Sequence, residues 1–192
     1  MFDNLGLVIG LGVVCLLLVI VVFWFIATYN KLVRQRNQVQ ASWAQIDVQL
    51  KRRYDLIPNL VETVKGYAAH ERGTLDAVVQ ARNGAIAAAG QGPADRAGAE
   101  NILTQTLGRL FALAEAYPNL KANENFASLQ AELANTEDKI SYARQFYNSA
   151  VQTMNTSVQS IPSNIIAGMT GFRMMEYFEA AEGERGPVQV RF

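Results

Sequence analysis

LGLVIGLGVVCLLLVIVVFWFIA, residues 5–27, is the stretch that decides the fold. It carries no charged side chain and is dominated by Val, Leu and Ile. As an α-helix it would extend about 34 Å at 1.5 Å per residue, which is enough to cross a hydrocarbon core of about 30 Å. Because a single lipid-embedded segment satisfies its backbone only as a helix, the stretch predicts an N-terminal transmembrane helix.

A cleaved signal peptide is the alternative for this stretch, and the sequence does not fit one. Secretory signals have a basic start, an apolar run of about 7–15 residues and a small-x-small cleavage site. This chain starts with MFDN, whose one charged side chain is that of Asp3, and Phe25-Ile26-Ala27 is a poor cleavage site. A lipoprotein signal at Cys15 is also disfavoured, because Val14 stands where a small residue is expected. We therefore expect a retained anchor over residues 1–28.

Composition limits the function classes open to the rest of the chain. The residues beyond the anchor, about 160, suit a single domain with one core. Seventeen basic and 17 acidic side chains give a formal net charge of 0, whereas nucleic-acid binding usually needs a strongly basic face. Cys15 is the only cysteine, so no intrachain disulfide can form. We expect no nucleic-acid partner.

Apolar residues beyond the anchor recur at steps of three and four, which is typical of helices packed along one face. The first such stripe is Leu32, Val39, Trp43, Ile46, Leu50 and Ile57. Arg36 and Arg53 interrupt it at positions where the spacing predicts an apolar residue. Pro58 predicts a kink or short break, followed by a second helix to about residue 89 and a third over about residues 97–117.

The strongest periodic pattern lies in a final long helix, with Asn123 as its N-cap and Pro162 at its end. Its seven-residue repeat is Phe126, Leu133, Ile140, Tyr147, Met154 and Ile161. This helix seam is most simply the core of the bundle, and an interface between copies is the alternative.

Short connections between these helices predict that sequential helices are antiparallel neighbours. We therefore predict an all-α fold in which a single transmembrane helix continues into a long antiparallel helical bundle over residues 29–178. An acidic, flexible tail is expected over residues 179–192. Residues 187–192 alternate between apolar and polar and could form one extended strand.

Several blocks of sequence resemble the bacterial LemA family. The clearest are ASWAQIDVQLKRRYDLIPNLV at 41–61, AYPNLK at 116–121, YARQFYN at 142–148 and IPSNIIA at 161–167. The resemblance covers essentially the whole chain after the anchor. It implies one N-terminal membrane helix followed by an elongated helical bundle, and it supplies no established activity and no catalytic residues. Some relatives in the family are associated with shaping or maturing internal membranes.

The residues themselves provide no catalytic constellation. His70 is the only histidine, and His70-Glu71 resembles the start of a zinc-protease motif. That motif needs a second histidine at position 74, which is Thr here. No Gly-x-Ser-x-Gly elbow is present, and the glycine-rich Gly90–Pro93 lacks the lysine of a phosphate-binding loop. We expect no enzyme activity, no cofactor and no metal site.

Two sets of residues near the anchor are candidates for membrane function. Lys31, Arg34 and Arg36 follow the span within one or two turns, and each could contribute about 1 kcal/mol of attraction to anionic lipid headgroups. Gly6 and Gly10 form a Gly-x-x-x-Gly pair that would let two anchors pack closely.

Lys51-Arg52-Arg53 is a run of positive charge farther along the same helix. We interpret it as a solvated face whose members pair with carboxylates such as Asp55 and Glu62. The alternative is a contact with acidic lipid or with the acidic C-terminal region around residues 176–184.

These features predict a non-enzymatic membrane scaffold that self-associates as a homo-oligomer and organises membrane lipids or a membrane-protein partner. The alternative is an adaptor or sensor that binds a peptide or membrane enzyme in a helical groove, with residues 165–178 as a mobile docking element. We expect a single-pass protein of the bacterial inner membrane. The positive-inside rule places its soluble domain in the cytoplasm, and the periplasm stays open because the rule weakens for long domains.

Overall fold

The computed structural model describes residues 2–179, with side chains from residue 9 onward. Within that range every regular element is helical, which confirms the predicted all-α class. The acidic tail beyond residue 179 and the strand predicted over residues 187–192 lie outside the described residues. The helices are α1 (Phe2–Lys65), α2 (Arg72–Ala87), α3 (Pro93–Ala114), α4 (Pro118–Lys121), α5 (Glu124–Gln159) and α6 (Ser163–Thr170), with a 3₁₀ turn at Ala88–Gly90.

The chain folds as two compact units, and helices α1 and α5 each contribute to both. The anchor unit contains the described part of Met1–Gln40 together with Ala150–Met175. The distal unit contains Ala41–Ser149 together with the described residues from Glu176 onward.

Helices α1 and α5 run in opposite directions within the distal unit. The Trp43 and Tyr147 rings pack with their centroids 5.1 Å apart. Farther along α1, Arg52 forms an ion pair of 2.6 Å with Glu132. The partner's residue number falls as that of α1 rises, so the pair is antiparallel in this unit.

Helix α1 passes through Pro58 without interruption, so the break predicted there is wrong. Proline has no N–H, which leaves the carbonyl of Tyr54, four residues earlier, without its helical donor. Arg82 of α2 supplies the missing hydrogen bond, since its Nε donates to the Tyr54 oxygen at 2.8 Å. The helix ends at Lys65 instead, and residues 66–71 form the connection to α2.

The predicted apolar stripe of α1 is confirmed by burial. Leu32, Val39, Ile46, Leu50 and Ile57 are each at most 3% exposed, and Trp43 is partly exposed.

Helix α3 begins at Pro93, four residues before its predicted start. Gly92 is extended at the N-cap, and proline suits the first helical position because its fixed φ is already helical. Ile102 of this helix is 60% exposed.

The predicted N-cap of α5 is confirmed, because the amide of Phe126 donates to Asn123 Oδ1 at 2.9 Å. Helix α6 was not predicted. It ends at Gly171, whose φ of 76° is in the left-handed region that favours glycine. The amide of Phe172 then donates to the carbonyl of Ala167 at 3.0 Å, closing the helix end.

Residues 172–179 follow α6 as an extended segment held by asparagines of α5. In the anchor unit, Asn155 donates to the Met175 carbonyl at 2.9 Å and accepts its amide at 2.8 Å. In the distal unit, Asn148 donates to the Phe178 carbonyl at 3.0 Å and accepts the Phe178 amide at 2.9 Å. Each amide side chain thus replaces a strand partner. The segment expected to be a mobile docking element is bound along the chain's own helix.

Candidate functional site

The N-terminal part of α1 has no cover from the other residues that the structure describes. Within the described residues, α1 is the helix long and apolar enough to cross a membrane, and none of its apolar window is buried. Every large apolar side chain from Ile9 to Val22 is more than half exposed. Because exposed apolar surface is unfavourable in water by about 25 cal/mol per Å², this helix belongs in lipid. The chain is a single-pass membrane protein.

Contacts within the anchor unit place α6 beside the end of the span. Gln35 donates to Ser157 Oγ at 2.9 Å, two residues before α5 ends. The chain then forms α6, and Phe172 returns to α1 with its ring 6.0 Å from that of Tyr29. Tyr29 follows Ala27, the last residue of the apolar stretch, by about 3 Å of helix. Helix α6 therefore lies at the end of the unit nearest the membrane.

The described charged side chains of the anchor unit all have the same sign. Among residues 9–40 and 150–175 there is no Asp or Glu, and the basic residues are Lys31, Arg34, Arg36 and Arg173. We call these four residues the basic collar. All four are exposed, and the Arg36 guanidinium also stacks over the Phe172 ring at 5.2 Å from its centroid. No described carboxylate in this unit neutralises them.

Three members of the basic collar are the residues we predicted as lipid contacts, and Arg173 was missed. Arg173 is far from the span in sequence, and its neighbour Phe172 packs against Tyr29 just after the span. The absence of acidic residues from 150–175 is the sequence signal that could have identified it.

Helix α6 exposes an apolar face. Ile165 and Met169 are 59% and 73% exposed, and residues four apart lie on one side of a helix. Ile161, which precedes the helix, is 83% exposed. On the opposite side, Ile166 and Ala167 are each 1% exposed and pack inside the unit. The helix therefore has one apolar side in the core and another in contact with the surroundings.

The glycine pair and the helix seam occupy different environments. A Cβ built on Gly10 would meet no atom within 4 Å, so this face of the span is open. Gly6 lies in α1 but before the first described side chain. Five of the six seam residues are each at most 4% exposed and pack inside the chain's own units: Phe126, Leu133, Ile140, Tyr147 and Met154. The sixth, Ile161, lies beyond the end of α5 and is 83% exposed, so its predicted core position is wrong.

The interpretation of Lys51-Arg52-Arg53 as a solvated face is wrong for Arg53, which is 1% exposed. Its guanidinium bonds to Glu100, to Glu137 at 2.5 Å and to Thr104 Oγ1 at 3.0 Å. Three partners from α3 and α5 thus compensate the charge, which explains how an arginine occupies a core position of the stripe. Lys51 and Arg52 are exposed as expected, and Lys51 pairs with Asp55 at 2.5 Å.

Further polar groups join Arg53 in a network inside the distal unit. The Tyr54 hydroxyl donates to Glu100, and burial followed by the Glu100 carboxylate raises the pKa of Tyr54. Arg96 pairs with Asp47 and stacks over Trp43 at 5.3 Å from its ring. The acids and bases of this network pair with each other, which suits a structural role, although the buried Nε atoms of Arg53 and Arg96 have no described hydrogen-bond partner.

No metal-binding arrangement occurs among the described residues, where no group of three or more His, Cys, Asp and Glu side chains could hold an ion. His70 is exposed in the connection between α1 and α2.

Comparisons with known proteins identify relatives over most of the chain. A family model described as the LemA family matches residues 42–192. Magnetosome protein MamQ 1 of Paramagnetospirillum magneticum is 29% identical, over 85% of this chain and 71% of its own length. Magnetosome protein MamQ of Magnetospirillum gryphiswaldense is 28% identical, over 93% and 77% respectively. Protein LemA of Metamycoplasma hominis is 25% identical, over 88% and 76%. None of these names is that of an enzyme.

Proposed function

The chain belongs to the LemA family, and we propose that it is a non-enzymatic membrane scaffold that self-associates and organises membrane lipids or membrane-protein partners. The observation that carries this proposal is helix α1. Its first part is an apolar span without cover, and the same uninterrupted helix supplies the core stripe of the folded chain. A helix that leaves the bilayer without a break links packing in the membrane to packing outside it.

The anchor supports self-association through its glycine pair. Gly6 and Gly10 stand one turn apart, and small residues at this spacing let two helix backbones approach closely in lipid. The space around Gly10 is open, so a second copy of the span meets no obstruction from this chain. We propose this face as the contact between anchors.

The basic collar supports an association with anionic lipid. Lys31, Arg34 and Arg36 are exposed within about three turns of the end of the span. Since each basic side chain near the surface contributes about 1 kcal/mol, these three would provide about 3 kcal/mol of preference for anionic headgroups.

The adaptor alternative has less support. Its docking element was the apolar segment 165–178, and the structure buries Phe172 and Phe178 of that region, at 8% and 1% exposed. A partner that captured this segment would have to displace its bonds to Asn148 and Asn155.

The experiment that tests the proposal is single-molecule photobleaching of the full-length protein in lipid bilayers at increasing protein density. We expect two-step traces to increase with density in the wild type and to decrease when Gly6 and Gly10 are both replaced with Leu. Gly12→Leu is the matched control, because Gly12 is equally open and lies outside the pair. A wild type that stays monomeric at every density rejects self-association.

We also propose that the folded part of the chain lies in the cytoplasm of the bacterial cell, since the basic collar follows the span directly and the positive-inside rule favours that side. A cysteine at exposed Asn37, in a Cys15→Ala background, reports the side. A membrane-impermeant maleimide should leave it unlabelled in intact cells, and labelling there places the domain in the periplasm.

A further inference from the structure

We propose that α6 and its flanking residues form a second membrane contact, in which Ile161, Ile165 and Met169 enter the interface of the bilayer and Arg173 binds anionic lipid phosphate. The ligand is the lipid surface around the chain's own anchor. The inference rests on the membrane anchor of the proposed function and is independent of self-association.

Position is the first support for this contact. Helix α5 ends two residues after Ser157, which bonds to Gln35, and Phe172 lies against Tyr29. The intervening α6 is therefore held at the level where α1 leaves the hydrocarbon core. Interfacial helices bury their apolar face about 5–10 Å into the boundary between headgroups and acyl chains. Tyr29 is itself a residue type enriched at that depth.

The arrangement of side chains on α6 is the second support. Ile165 and Met169 project from one side of the helix, while Ile166 and Ala167 fill the core on the other. Ile161, just before the helix, is also exposed. No described part of the chain covers Ile161, Ile165 or Met169. A short helix already folded within the anchor unit can enter the interface without the entropic cost of ordering a free peptide, which is about 1–2 kcal/mol per residue for the backbone.

Charge is the third support, and it selects lipid over a second copy of the chain. The described side chains of the anchor unit include four basic groups and no acidic one. Two copies meeting through this face would bring eight positive charges together, and like charges at an interface are unfavourable. An anionic bilayer supplies the opposite charge to all four groups at once. Arg173 belongs to this set because it directly follows Phe172 at the Tyr29 contact.

The first experiment measures the depth of α6 in the membrane. Full-length protein in a Cys15→Ala background receives one nitroxide-labelled cysteine, at Ile165 or Met169, and is reconstituted in vesicles of equal parts phosphatidylcholine and phosphatidylglycerol. Gln152 provides the control site, because it is exposed on α5 in the same unit. We expect collisions with oxygen to exceed those with a water-soluble nickel chelate at 165 and 169, with the order reversed at 152.

Two results of this measurement overturn the proposal. Labels at 165 and 169 that behave like the label at 152 show that α6 is in water. Dipolar broadening between labels on different copies shows that the face is covered by another chain. Diluting the protein to about one copy per vesicle leaves the expected depth unchanged, so the result is independent of whether the chain self-associates.

The second experiment assigns the contribution of individual side chains, with the depth label at Ile161. Replacing Ile165 or Met169 with Ser should lower the ratio of docked to undocked label by roughly tenfold for each residue. Val48→Ser is the matched control, because Val48 is an isolated apolar residue that is 63% exposed. Arg173→Gln should lower the preference for anionic over purely zwitterionic vesicles by roughly fivefold. Equal ratios in the α6 variants and the Val48 control reject the apolar contact, and an unchanged lipid preference rejects the role of Arg173.

Discussion

Replacing Arg53 with Met should destabilise the folded chain far more than the same change at its neighbour Arg52. Both arginines lie in α1 and both pair with carboxylates. They differ in burial, because the Arg53 side chain is 1% exposed and the Arg52 side chain is 47% exposed. The pair therefore compares a buried and a solvated charge of the same type within the same helix.

The expected loss of stability depends on the carboxylate that each substitution leaves without its arginine partner. Without Arg53, the carboxylate of Glu100, 4% exposed, stays buried with only the Tyr54 hydroxyl and Arg96 at 3.8 Å. Removing one partner of a buried ion pair typically costs about 3–5 kcal/mol, because the remaining charge is uncompensated. Without Arg52, Glu132 turns to water, and the expected cost is at most about 1 kcal/mol.

The assay is urea unfolding of the full-length protein in detergent, followed by the fluorescence of Trp43 in a Trp24→Phe background. Trp43 reports on the distal unit because it packs on Tyr147 and Phe178. A lower midpoint with an unchanged slope measures lost stability and excludes a change in the amount of surface exposed on unfolding.

A double variant distinguishes the loss of stability caused by the uncompensated Glu100 carboxylate from the loss caused by poorer packing. Combining Arg53→Met with Glu100→Gln removes the uncompensated carboxylate, so its cost should be smaller than the sum of the two single changes. Equal midpoints for the Arg52 and Arg53 variants would refute the reasoning. So would a double variant whose cost equals the sum.

Three further perturbations test contacts of the folded chain by unfolding or exchange. Burial and a neighbouring carboxylate hold the pKa of Tyr54 above its ordinary value of 10.0. The contribution of Tyr54 to the free energy of unfolding should be full below about pH 10 and decrease at higher pH, because the Tyr54 hydroxyl loses its proton more readily in the unfolded chain. In Tyr54→Phe this decrease in stability above about pH 10 should be smaller. Asn148→Asp removes a donor to the backbone of Phe178, and the amide of Phe178 should exchange with deuterium faster, by roughly tenfold for a loss of about 1.4 kcal/mol; unchanged exchange contradicts this role. Arg82→Met should lower the free energy of unfolding by about 1.5–3 kcal/mol in the wild type. It should lower it by less in a Pro58→Ala background, where the alanine amide can donate to the Tyr54 carbonyl. Equal losses in both backgrounds contradict the role of Arg82 as the replacement donor.

Local patterns were sufficient for the apolar stripe of α1 and the N-cap of α5, but not for the continuity of α1 at Pro58. The apolar stripe from Leu32 to Ile57 and the N-cap at Asn123 depend on neighbouring residues, and both were predicted correctly. The effect of Pro58 depends on Arg82, which is 28 residues from Tyr54 in the sequence and reaches its free carbonyl only after the helices pack. A proline pattern contains no information about such a distant donor.

Three of the four residues of the basic collar were singled out from the sequence. Lys31, Arg34 and Arg36 were recognised because they follow the apolar stretch directly. Helix α6 and Arg173 were missed because their proximity to Tyr29 arises only through the return of the chain after α5. The sequence contains the relevant residue types, but it does not show the contact between segments that are distant along the chain.

Arg36 and Arg53 are equivalent in the sequence, because each replaces an apolar residue in the same helical stripe. The structure gives them opposite surroundings. Arg53 lies among carboxylates of its own chain, and those pairs stabilise the distal unit. Arg36 lies on the Phe172 ring in a unit whose described side chains include no acid. A charge balanced within the chain serves the fold. The four exposed charges of the basic collar have no described acidic counterpart in their own unit, and we propose the anionic bilayer surface as their partner.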